Sequence, residues 1–146
     1  MKNYVILSAF LLFSIEGWSQ RETELQTILE NLKVELIQPG TISTAGFEFG
    51  TSISPDEKEF FFVKGLSGFR RMVIVYCLWN GGYWSTPKLA PFSGKYNDTN
   101  PYHSKDGNRL YFTSDRPTGI SKYARTNLWY VDKIKDGWST PKLVED

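Results

Sequence analysis

Few side chains in this chain could carry chemistry. Among its 146 residues, with a formal net charge of +1, there is one histidine, His103, and one cysteine, Cys77. A closed zinc site needs several His or Cys ligands together, so no metal site and no cofactor are expected. Cys77 cannot form an intrachain disulfide, and in the apolar run MVIVYCLW it reads as a small buried hydrophobe rather than a reactive thiol. Arg116 could grip a carboxylate or phosphate with its planar fork of donors. Its plainer role is to pin its own corner through nearby carbonyls or Asp115. Two carboxylates, Glu48 and Asp98, stand 50 residues apart and could together hold a cation or a polar ligand. Calcium takes about six to eight oxygens, so turn capping or solvated charge is the simpler role for both. Ser104-Lys105-Asp106-Gly107 falls short of a sialidase Asp-box, because its Asp and Gly are adjacent. There is no Ser-His-Asp spacing, no phosphate-cradling glycine loop and no Walker motif. No catalytic residue is assigned.

The elements that would position these residues come in two copies. SKDGNRLYFTSDRP, then NLWYVD, then DGWSTPKL repeats an earlier SPDEKEFFFVK, IVYCLW and GGYWSTPKL. The two copies align at an offset of 50 on Ser54 and Ser104 and of 54 on Trp84 and Trp138. The difference falls in the polar loop DRPTGISKYART, where an insertion costs little. WSTPKL occurs verbatim at Trp84–Leu89 and at Trp138–Leu143. Each copy reads as four strands. In the first, a strand before Ser54 is followed by Phe60–Val63, Met72–Trp79 and a short edge strand, Tyr83–Pro87. In the second, PYHS, RLYFTS, Asn127–Asp132 and GWSTP take the same places. Four strands in a period of about 50 is the pattern of propeller blades. The predicted fold is therefore all-β: a partial propeller of two four-stranded antiparallel blades, over about 41–92 and 93–146.

The second copy resembles the TolB-type, WD40-like β-propeller repeat. The resemblance rests on Pro101, Ser104, Asp106-Gly107, Leu110-Tyr111-Phe112, Ser114, Arg116-Pro117, Leu128-Trp129, Trp138 and Pro141. The first copy keeps Ser54-Pro55-Asp56, its aromatic strand, Trp84 and Pro87, but has Glu57 at the turn glycine and lacks Ser-x-Arg-Pro. This resemblance implies blade scaffolding for the motif residues and a ligand mouth formed by loops that end at Glu48 and Asp98. His103, on the innermost strand, would face the channel or pack within the sheet. Two repeats fall short of the roughly four to eight that close a ring. The chain is thus expected to be a piece of a larger propeller. The alternatives are several chains in one ring, or an open fan covered by the N-terminal helix; blade faces left uncovered would self-associate.

Ahead of the repeats, Lys2, the apolar run Val5–Ile15 and the small residues Gly17 and Ser19 predict a signal peptide over 1–19, cut before Gln20. That run is too short to span a bilayer. Residues 20–40 follow as a short amphipathic helix, with Leu25, Ile28, Leu29 and Leu32 at helical spacing, and an extended connection. The near-neutral charge argues against nucleic acid. Together these features point to an exported, non-catalytic binding module with a protein or small polar ligand at the propeller mouth. The alternative is part of a periplasmic carbohydrate- or peptide-processing enzyme whose catalytic residues lie elsewhere.

Overall fold

Bulky aromatic and β-branched runs bounded by Pro, Gly and Asp form strands throughout the described chain. The computed structural model describes residues 35–67, 69–119 and 126–145, with Thr23 and Thr27, in a chain that divides into Met1–Glu35 and Leu36–Asp146. The expected signal peptide and, apart from those two threonines, the expected helix lie outside the described residues, so that helix is not seen. Two antiparallel sheets make up the rest. The first runs β1 (Phe47–Ile53), β2 (Glu59–Leu66), β3 (Arg71–Leu78) and β4 (Lys88–Leu89), in that order. The second runs β5 (Asp98–His103), β6 (Arg109–Ser114), β7 (Asn127–Ile134) and β8 (Gly137–Trp138), with β9 (Lys142–Leu143) also on β7.

The sheets are copies of one another at the level of register. Glu48 pairs with Lys64 and Ser52 with Phe61; fifty residues on, Asp98 pairs with Ser114 and Tyr102 with Tyr111. Both inner pairs slip at the same place, where Gly50 and Asn100 adopt positive φ (57° and 53°). Such a bulge adds one residue and sharpens the local twist. The connecting turns match bond for bond. Ser54 Oγ donates to Asp56 and accepts from the Glu59 amide (2.6 and 2.9 Å), and Ser104 Oγ does the same with Asp106 and Arg109 (2.6 and 2.9 Å). Each turn then needs a left-handed residue. Gly107 supplies it freely (φ 72°), whereas Glu57 (φ 58°) carries a strain of about 1 kcal/mol.

The outermost strands differ from expectation. Tyr83–Pro87 and GWSTP are not continuous strands; the ladder resumes only at Lys88–Leu89 and Lys142–Leu143, giving four strands in one sheet and five in the other. Pro87 and Pro141 have no N–H to donate, and the preceding serine takes over the pairing. Ser85 Oγ accepts the Leu78 amide (3.0 Å), and Ser139 Oγ accepts the Asp132 amide (3.0 Å).

Strand alternation gives each sheet two faces. One, here the front, carries Phe60, Phe62, Val75 and Cys77 in the first sheet and Leu110, Phe112, Trp129 and Val131 in the second. The back carries Phe61, Val63 and Ile74 in the first sheet and Tyr111, Thr113 and Leu128 in the second. The back of the first sheet lies on the front of the second in one shared core of Phe61, Val63, Ile74, Leu110, Phe112, Trp129 and Val131. Ile42 and Trp84 pack on the front of the first sheet.

Candidate functional site

Ser114 ends β6 and folds the following corner inward. Its Oγ accepts both the backbone N–H and the Nε–H of Arg116 (3.2 and 2.9 Å). That bond points the guanidinium at Asp98 Oδ1 (2.7 Å) and the Phe92 carbonyl (3.1 Å), across the faces of Phe112 and Trp129. The other Asp98 oxygen accepts from Ser93 Oγ (2.7 Å), which in turn accepts the Ile74 amide of β3 (3.0 Å). Arg116, 8% exposed, and Asp98, 0% exposed, therefore form a buried ion pair wired into both sheets. The expectation that Arg116 bonds carbonyls holds, but Asp115 is not its partner. A carboxylate buried as deeply as Asp98 requires a counter-charge, and Asp115 is taken up by the Asn97 backbone and side-chain amides (2.9 and 2.8 Å).

Glu48 and Asp98 occupy equivalent register positions but share no partner. Glu48 accepts from Thr44 and lies 3.4 Å from Lys64. Burial alone would raise its carboxyl, yet the Thr44 and Lys64 hydrogen bonds bring it below its ordinary range. The two carboxylates serve separate local networks.

His103 lies on the second sheet's front, 5% exposed, between Phe61 and Trp138 (ring centroids 5.3 and 6.0 Å). Ser52 Oγ of the first sheet accepts its backbone N–H (3.0 Å) and is also hydrogen-bonded to Nδ1 (2.9 Å). Nε2 is buried with no hydrogen-bond partner among the described residues. Desolvation, aided by nearby Lys133 and opposed by Asp56, pushes the imidazole down to about 4. It is a neutral contact between sheets. Cys77 is fully buried, and burial pushes its thiol up to about 11, far from a reactive thiolate.

The motif residues sit where the repeats need them. Ser54 with Asp56, and Ser104 with Asp106, close the turns, and Gly107 abuts Pro55, whose Cδ a Cβ there would approach to 3.3 Å. Asp106 is held down to about 2, chiefly by the Ser104 hydroxyl. Trp129 fills the shared core and Trp138 meets Phe61 edge-on at 5.8 Å. Sequence reasoning missed Ser52 and Ser93, each ordinary in its local context. It also missed an open cleft of about 730 Å³ beside the first turn, lined by Ile53, Pro55, Asp56, Lys58, Trp79 and Trp84. The one local signal for that cleft was the proximity of Trp79 and Trp84 in sequence, and their rings meet edge-on at 5.2 Å.

The described residues define an all-β protein of two antiparallel sheets built on one repeated register. No protein-family model and no curated protein sequence matches the chain.

Two outcomes follow from the buried polar groups. Asp98→Asn leaves the Arg116 charge buried opposite a neutral group, so equilibrium urea unfolding should show a loss of about 3–5 kcal/mol. Asp98→Leu combined with Arg116→Met should regain part of it. For His103, the unfolded imidazole titrates near 6.5 and the folded one near 4, so the unfolded chain takes up the proton first. Its contribution is complete above about pH 6.5 and should fall by about 3 kcal/mol as the pH drops to 4. His103→Gln should flatten that part of the stability profile.

Proposed function

We propose that this chain is an exported interaction module whose two stacked sheets act as blades of a β-propeller, binding a protein or a small polar ligand through its loops rather than catalysing a reaction. One observation carries the reading. Two sheets of identical inner register, bulge and turn chemistry are stacked in one sense, with the back of the first on the front of the second. Repetition of that step is the relation that arrays blades about an axis. The polar side chains singled out from the sequence support it. Asp98, Arg116, Glu48 and His103 are bonded to protein partners that hold strands, corner and sheets together. Function then belongs to the loops that the repeat leaves variable.

Export is the part of this proposal open to immediate test. When the full chain is expressed in a bacterial host and the cells are fractionated, mass spectrometry should find the product outside the cytoplasm with Gln20 at its N-terminus. A product that stays in the cytoplasm with residues 1–19 attached would overturn the reading.

A further inference from the structure

The contact between the two sheets is a template for what their outward ends would accept. Three pairs form its turn end. Phe61 meets Trp138 at 5.8 Å, Ser52 Oγ lies 2.9 Å from His103 Nδ1, and Lys133 Nζ lies 2.8 Å from Glu59. The repeat places the equivalents of all six on the opposite sides of the two sheets. Tyr111, Tyr102 and Arg109 on the back of the second sheet replace Phe61, Ser52 and Glu59. Trp84, Ile53 and Trp79 at the front of the first sheet replace Trp138, His103 and Lys133. Tyr102 is 69% exposed, Ile53 51% and Trp79 43%, and the last two line the open cleft with Trp84.

The replacements are matched in kind. An aromatic pair stays aromatic, with Tyr111 opposite Trp84. The hydroxyl–imidazole pair becomes an aromatic–aliphatic one, Tyr102 opposite Ile53. Where Glu59 faces Lys133 inside, Arg109 would face Trp79 outside, which exchanges an ion pair for a cation on an indole. Arg109 is already oriented for this. Asp132 holds its Nε (2.8 Å), and its guanidinium lies over the Tyr130 ring (3.9 Å) and beside Tyr111 (6.0 Å), on the same edge of the sheet as Tyr102. Tyrosine and arginine are also the side chains that protein interfaces favour. The middle of the first sheet's front is buried, at Phe60, Phe62 and Cys77, so the open seat is confined to its turn end.

We propose that copies of this chain associate head to tail: the Tyr102–Arg109–Tyr111 face of one copy seats on the Ile53–Trp79–Trp84 cleft of the next. Such a contact uses different patches on the two partners, so it propagates until rotation closes it into a ring. The proposal rests on the repeat equivalence and is independent of export.

Size-exclusion chromatography with light scattering on the purified full-length protein tests it. The wild type should show a mass above the monomer that falls on dilution. Trp79→Asp, Ile53→Asp and Tyr102→Asp should each be monomeric with unchanged circular dichroism, their association weakened at least about thirty-fold by the loss of a central anchor. An equimolar mixture of Trp79→Asp and Tyr102→Asp should recover a heterodimer and stop there, because one variant keeps the tyrosine face and the other keeps the cleft. A wild type monomeric at every concentration, a folded variant that retains the wild-type mass, or a mixture that stays monomeric would each overturn the proposal. The export test and this one can fail separately.

Discussion

Phe61 is the contact through which each sheet buries the other. It is fully enclosed, and around it stand Tyr76 from its own sheet, Phe92 from the connection, and His103 and Trp138 from the second sheet. A two-stranded hairpin is marginal in water, and a sheet becomes stable only when one face is covered. Burying a phenyl ring contributes about 2–3 kcal/mol, and here one ring serves both sheets. Because Phe60 and Phe62 point the other way into the Ile42 cluster, β2 is apolar on both faces. That explains the unbroken run FFFV where an alternating pattern would serve a half-exposed strand.

The polar groups are arranged around that contact. Asp98, Arg116, Ser93 and Ser114 form a chain of hydrogen bonds from the β3 amide to the end of β6, so the corner cannot shift without exposing or orphaning a charge. An ion pair of this kind adds little net stability against an apolar replacement, but breaking one side is costly. Its effect is to fix geometry. Ser52 and His103 do likewise at the other end of β5, where a neutral imidazole spans the boundary between the sheets.

Much of the scaffold was legible in the sequence, because its signals are local. The Ser-Pro-Asp and Ser-Lys-Asp-Gly turns, the aromatic strands and the duplicated WSTPKL all specify structure within about ten residues. The outer strands were legible in place but not in length, since Pro87 and Pro141 interrupt pairing that Ser85 and Ser139 side chains then restore. The polar network was much less legible. Arg116 has Asp115 beside it in sequence, yet pairs with Asp98, 18 residues back. His103 finds Ser52 at a separation of 51 residues, through a stacking of sheets that no single window of sequence contains. The cleft at Trp79 and Trp84 depends on the same stacking, because the equivalent ground on the second sheet is filled by Phe61.

Two copies of one repeat that share a single core should unfold together. Native-state hydrogen exchange across a denaturant series tests this most directly. The amides of Phe61–Val63 in β2 and of Leu110–Phe112 in β6 should exchange with one common free energy, equal to that of global unfolding. If one sheet exchanges through a separate opening of markedly lower free energy while the other stays protected, the two sheets fold independently and the shared core does not couple them.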